Sequence, residues 1–360
     1  MSDLPWLEPA RQTLFSLRRR GAHGLLLHGP AGTGKWELAL SFARDILCEN
    51  AQPPARACGQ CPSCHLNGAG SHPDLRVLVP DALAERRPGG SSEDAEAAPV
   101  PAEPTGTGKA KPSREIKIDQ VRDIASLTEI SAHRGGARVV VLGPVEALNA
   151  AAANALLKGL EEPPPQTVFL LVADQLDACL PTVISRCSLV RVPVPPRAQA
   201  LAWLQEQGMG DEAPERLTLA GGAPLAALRG ASEALSEDMR ASLLGLLRRG
   251  AALSAADIAA EVPRTVPIGE AVALFQRWGW DYLAFRLGAP VRYHPGETGA
   301  FGALARAWEP GAVLAWLDTL RALRAVAEHP LNARSAVEGV LLAYLHSLSG
   351  EPSQPFQRIK

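Results

Sequence analysis

The chain has 360 residues, 46% of them hydrophobic, and a formal net charge of −2, enough length for two or three domains with buried cores. So small a charge argues against a free-standing protein that grips nucleic acid by neutralising phosphates. Asp3, Glu8 and Arg11 interrupt the N-terminal stretch where a leader or membrane span would need an apolar core, and the later apolar runs, such as Val168–Ala173, are strand-length; a cytoplasmic protein with reduced thiols is expected, with no membrane attachment.

In chain order, the first signal is the run 24–28, Gly-Leu-Leu-Leu-His, which reads as a buried strand. It leads into Gly29-Pro-Ala-Gly-Thr-Gly-Lys35-Trp36, a phosphate-binding loop followed by a helix over 35–47. Gly29, Gly32, Gly34 and Lys35 can shape an anion-binding nest at a helix N-terminus. One letter departs from the pattern. The residue after the lysine should be Ser or Thr, whose hydroxyl ligates Mg²⁺, whereas Trp36 offers an N–H donor and no oxygen. Two readings stay open here: the loop holds a nucleotide without hydrolysing it, or the indole packs as a core aromatic where nucleotide or metal would sit.

Next come four cysteines spaced Cys48-x9-Cys58-x2-Cys61-x2-Cys64, among turn-forming Pro53, Pro54, Gly59 and Pro62. In a reducing compartment this spacing predicts a closed, structural Zn²⁺ site over 48–64, with His65 a bystander. An iron–sulfur cluster draws on the same ligands, but nothing else in the sequence points to redox chemistry. Cys179 and Cys187 lie far off.

Further strands are expected at 75–79, 138–142, 167–173 and 188–192, separated by helices over 118–130 and 146–162. This alternation predicts a mostly parallel sheet covered on both faces. Residues 80–114, dense in Pro, Gly and both charges, predict a disordered insertion between a strand and the next helix. After the strand at 138–142 an ATPase of this plan carries paired carboxylates that hold Mg²⁺ and polarise the attacking water. Gly143-Pro144 stands there instead, and Glu146 comes two residues too late, at the start of the next helix. That helix stops at Pro163-Pro164-Pro165. Pro193, Pro195 and Pro196 mark a linker, and from Arg197 onward the apolar spacing is helical, broken at Gly221-Gly222-Ala223-Pro224 and resuming near 235. Trp203, Trp278, Trp280, Trp308 and Trp316 in this half read as core or subunit-interface anchors. Arg18-Arg19-Arg20 reads as a solvated helix end, with contact to DNA as the second reading.

The loop at 29–35, the four cysteines, Ser71-His72-Pro73-Asp74, the run Ala153-Asn-Ala-Leu-Leu-Lys-Gly-Leu-Glu-Glu-Pro-Pro164 and Ser185-Arg186-Cys187 together resemble the bacterial clamp-loader AAA+ family of DNA polymerase III, over residues 23–192. The resemblance implies an AAA+ domain over 1–193, a helical lid over 194–234 and an all-helical collar over 235–360 for ring assembly. Within that family the gamma/tau motors keep their Mg²⁺ and acidic positions, while a stator subunit loses them. The stator offers the arginine of Ser-Arg-Cys across a subunit interface to ATP on the adjacent motor. By that likeness Arg186 is a trans-acting finger, with no intrinsic ATPase in this chain. The implied setting is a hetero-pentameric ring with gamma/tau and delta subunits, a sliding clamp and primed DNA, within a DNA-directed DNA polymerase holoenzyme. Motors also place a phosphate-sensing arginine at a lid helix, where residues 221–225 supply none and Arg229 is poorly placed. Two alternatives remain at this stage: an active motor working through Glu146, and a zinc-dependent nucleic-acid-binding module.

Overall fold

Runs such as Arg138-Val-Val-Val-Leu142 and Thr167-Val-Phe-Leu-Leu-Val-Ala173 have no polar alternation, so as strands they must be covered on both faces. In the computed structural model, which describes residues 4–51, 56–86, 112–122, 136–229, 235–326 and 332–349, every residue of both runs is buried. The described strands are β1 (Gly24–His28), β2 (Leu75–Leu78), β3 (Arg138–Leu142), β4 (Thr167–Ala173) and β5 (Ser188–Arg191). They form one sheet in the order β2-β3-β4-β1-β5. All four pairings are parallel, with Val139 opposite Val168, Leu25 opposite Leu170 and Leu26 opposite Leu189.

Residues 1–199 form one compact unit. On one sheet face Leu26, Val140, Phe169 and Leu171 pack against Ala152, Ala153, Leu156 and Leu160 of helix α5, which spans Ala150–Glu161. Alternate strand residues point to the other face, where α2 (Lys35–Leu47) lies against β3 and β4. Helix α1 (Glu8–Arg19) lies against β5. The helix expected over 146–162 starts later than its apolar pattern suggests. Val145–Ala147 is a 3-10 turn, Leu148 is extended, and Asn149 caps α5 by accepting the Ala152 N–H at 2.9 Å. Glu146 therefore lies in that turn, ahead of the helix.

Of the expected insertion over 80–114, residues 87–111 lie outside the described residues. Its two ends meet, since the Ala82 N–H donates to the Ser113 carbonyl at 2.9 Å. The helix expected over 118–130, α4, is seen over 118–122, and its remainder lies outside the described residues.

The second unit, residues 200–360, is helical throughout its described elements. Its core gathers Trp278, Tyr282, Phe275, Phe301, Trp308, Trp316 and Tyr344, all buried. Their polar ends are satisfied where they reach a carbonyl: Trp316 Nε1 donates to Val340 O at 3.0 Å and Tyr344 OH to Leu247 O at 2.9 Å. Trp203 is buried too, whereas Trp280 is 55% exposed. The break at Gly221-Gly222 falls between helices ending at Leu219 and starting at Pro224; Arg292 Nε donates to the Gly221 carbonyl at 2.8 Å. Arg229 is turned back on its own helix, donating to the Leu225 carbonyl at 3.2 Å. Among the described residues, no helix is long and apolar enough to cross a membrane.

Candidate functional site at the strand ends and the cysteine module

In an open parallel sheet, ligands bind beyond the carboxyl ends of the strands. At that end stand the loop after β1, Gly143 after β3 and Asp174 after β4, on three neighbouring strands. The loop needs glycine. Gly29 has φ +145°, and a Cβ there would lie 2.2 Å from the Val192 carbonyl oxygen. Gly32 and Gly34 also have positive φ, +76° and +97°. The loop is tied from outside as well, because the Trp6 indole donates to the Thr33 carbonyl at 2.8 Å.

Inside this frame the lysine is already engaged. Lys35 Nζ, its side chain 2% exposed, lies 2.7 Å from the Pro30 carbonyl and 2.7 Å from Asp174 Oδ1. Trp36 is buried, with Cζ3 3.3 Å from where a Cβ on Gly143 would stand. The residue that displaces the magnesium hydroxyl therefore packs beside the residue that replaces a magnesium carboxylate. Glu146 is used structurally. Its Oε1 accepts the backbone N–H of Asp174 at 2.9 Å and of Gln175 at 3.1 Å, and burial pushes its carboxyl above the usual range. His28, at the end of β1, is held below the usual imidazole range by burial, then by the charges of Arg191 and Lys35. A magnesium nucleotide does not fit this donor set: it offers a lysine already ion-paired with Asp174, no hydroxyl in the position after it and no carboxylate at the end of β3.

Gly143 gives a direct check of that packing. A Cβ there would also meet Val172 Cβ and its carbonyl oxygen, both at 3.0 Å. Gly143→Asp should therefore destabilise the protein by about 1–3 kcal/mol, read from the denaturant midpoint, and should not create Mg²⁺-dependent ATP turnover.

Arg186 occupies the other end of the sheet. It precedes β5, and its carbonyl would lie 3.1 Å from a Cβ on Gly24, the first residue of β1. The side chain is held from both sides: Nε and Nη2 face Glu161 Oε1 at 2.6 and 2.5 Å, and Nη1 donates to the Thr182 carbonyl at 2.9 Å. Glu161 ends α5, so one helix terminus aims the guanidinium while leaving it 34% exposed.

The four cysteines converge. The Sγ atoms of Cys48, Cys58, Cys61 and Cys64 all lie within 4.8 Å of one another. Thiolates about 2.3 Å from a tetrahedral zinc stand ~3.8 Å apart, and the Cys48–Cys61 and Cys58–Cys64 separations are both 3.9 Å. Backbone amides point at the sulfurs, Cys61 N–H to Cys58 Sγ at 3.4 Å and Cys64 N–H to Cys61 Sγ at 3.4 Å. Amides of Gln60 and Cys61 bring the Cys58 thiol down to about 6, whereas burial and the neighbouring thiols hold Cys64 up at about 12. The set is compatible with a closed metal site whose contribution would be structural. His65 is exposed and outside the cluster. Cys179 and Cys187 have thiols pushed up to about 12 by burial. A polar chain ties the module to the sheet. Ser63 Oγ donates to Glu49 at 2.9 Å, His72 Nε2 lies 3.1 Å from Ser63 Oγ, and the Asp74 N–H donates to His72 Nδ1 at 3.1 Å.

Motif reading missed two groups, Asp174 and Glu161 as the partner of Arg186. Asp174 was in principle findable as a carboxylate just past a central parallel strand. The pairing of Glu161 with Arg186 spans 25 positions and has no local signal.

A parallel sheet in the order β2-β3-β4-β1-β5 with a phosphate loop after β1 defines an AAA+ P-loop module, here without the groups that bind magnesium. Residues 16–196 match the family model described as "DNA polymerase III, delta subunit". The chain is 37% identical over 295 residues to the DNA polymerase III subunit delta' of Pseudomonas aeruginosa, covering 80% of this chain and 79% of that protein. It is 34% identical over 228 residues to the subunit delta' of Escherichia coli (strain K12), covering 62% and 59%. A solved structure of a DNA polymerase III gamma subunit-related protein from Thermotoga maritima aligns with TM-score 0.40 and 19% identity, over 94% of this chain and 99% of that one. The chain belongs to the DNA polymerase III delta-prime family.

Proposed function

We propose that this chain is a non-hydrolysing stator of the clamp loader, which donates Arg186 in trans to ATP held by a neighbouring gamma/tau motor. The observation that carries the reading is the position of Arg186. It sits at the amino end of β5, a full strand away from the loop that follows β1. Five strand residues span ~15 Å, further than an arginine side chain reaches. In this reading the phosphate it meets lies on another chain. The disarmed loop agrees, since a subunit that lends an arginine has no need of its own magnesium site.

In this reading residues 1–193 are the AAA+ module, 194–234 the lid and 235–360 the collar that builds the ring with gamma/tau and delta subunits. The ring opens a sliding clamp and loads it on primed DNA, and the zinc held by Cys48, Cys58, Cys61 and Cys64 stiffens this subunit. Against a motor working through Glu146 stand the two backbone amides its carboxylate already serves. Against an isolated nucleic-acid-binding module stands the family membership itself.

The isolated chain should show no Mg²⁺-dependent ATPase. Lys35→Ala should leave clamp loading by the reconstituted complex within about twofold of wild type, because a motor depends on its phosphate-loop lysine and a stator does not. Turnover by the isolated chain, or abolished loading by Lys35→Ala, would sink the stator reading.

A further inference from the structure

We propose that Asp174 is the residue that excludes polyphosphate from the loop at 29–35, its carboxylate standing in for the anion that Lys35 would otherwise take. This deepens the stator reading and rests on it. The loop retains the glycines at 29, 32 and 34 and the lysine of a working phosphate nest; what sets it apart is where the lysine's charge is spent. Lys35 Nζ is almost fully buried and has two close oxygen partners, one from the loop itself and one from Asp174, each at 2.7 Å. The carboxylate is the only charge among those two partners.

Asp174 does not arrive there by chance of rotamer alone. Its backbone N–H, with that of Gln175, is fixed on Glu146 Oε1, which pins the turn leaving β4 and presents residue 174 towards the neighbouring strand's loop. β4 and β1 are adjacent and parallel, with Ala173 opposite His28, so the residues just past them share one end of the sheet. An incoming phosphate therefore meets a fixed negative charge on the cation it needs, and must both displace and face that carboxylate. The Asp174 side chain is 34% exposed whereas that of Lys35 is 2% exposed, so the aspartate lies on the solvent side of the pair, where a ligand enters.

The test is binding of inorganic tripolyphosphate and of ATP to the full-length chain by calorimetry, at low salt without added Mg²⁺ or chelator. Wild type, Asp174→Asn, Asp174→Ser and the double variant Asp174→Asn with Lys35→Ala are compared. Asparagine keeps the backbone bonds to Glu146 and removes only the charge. Both single variants should bind at least about tenfold more tightly than wild type, and the double variant should return to the wild-type level, showing that the gain runs through Lys35. Thermal unfolding confirms that each variant is folded, and serine serves if asparagine perturbs the turn. Folded single variants with no gain, or wild type binding as tightly as they do, would overturn the role of Asp174. Neither result touches the stator reading, which fails separately if the isolated wild-type chain hydrolyses ATP with Mg²⁺.

Discussion

Arg186→Ala is expected, on the proposed stator role, to lower ATP turnover at the neighbouring motor site by on the order of 10³-fold, the range in which arginine fingers stabilise phosphoryl-transfer charge. The whole ring should lose only that site's share of its clamp- and DNA-stimulated ATPase, while loading, which needs the ring's sites to act together, falls further. The effect should appear in kcat with little change in KM, because the guanidinium meets charge that develops in the transition state. The fold should be untouched. Arg186 is a third exposed, and its ion pair with Glu161 is a surface one, worth under about 1 kcal/mol. Lysine at 186 should not rescue, since it lacks the planar fork that Glu161 and the Thr182 carbonyl orient. Single-turnover measurements on complexes carrying one variant subunit give the answer, and unchanged turnover with Arg186→Ala would remove the finger assignment.

Cys61→Ser should reduce the chain from about one zinc to none and unfold the segment around 48–68 while leaving the sheet in place. Cys61 supplies one of the four clustered sulfurs and also caps helix α3 (Pro62–Gly68), its side chain accepting the Cys64 N–H. A helix of seven residues is far too short to persist unaided in water. Structural zinc sites bind with apparent free energies on the order of 10 kcal/mol, and in the proposed reading that energy would hold such a short element. Damage should stop near the module. The Arg11–Asp45 ion pair anchors α2 to α1 without using a cysteine, and the sheet core lies beyond His72 and Asp74. A fall of about 5–10 °C in Tm of the first unit is the expected scale. Elemental analysis of gently purified protein, with hydrogen exchange over 58–68, checks it; wild type without stoichiometric metal would refute the zinc assignment.

How far the strands could be placed from residues alone varied with their burial. The runs at 24–28, 138–142 and 167–173 coincide with β1, β3 and β4 because unbroken aliphatic runs admit few other structures. The edge strands β2 and β5 each end one residue short of expectation, at Leu78 and Arg191, where pairing rather than composition decides the limit. The start of α5 was misplaced because the apolar residues at 145–148 fit a helical pattern, whereas the Asn149 cap and the turn before it set the true boundary. The convergence of the four cysteines was legible throughout, since they are close in sequence and Cys-x2-Cys turns bring their sulfurs together.

The sequence alone determined what chemistry is missing. A tryptophan cannot ligate magnesium and Gly143-Pro144 carries no carboxylate, whatever the fold does with them. It also held the four thiols, whose spacing keeps them near one another in any compact structure. Tertiary structure alone decided where the remaining charges go. Lys35 and Asp174 lie 139 positions apart and Arg186 and Glu161 lie 25 apart, and only the parallel order β3-β4-β1-β5 brings each pair together. That order buries one cation against Asp174 and leaves the other, paired with Glu161, at the opposite end of the sheet and a third exposed. The reason is physical: in a parallel sheet every strand ends on the same side, so which end a residue follows or precedes determines which partners it can reach.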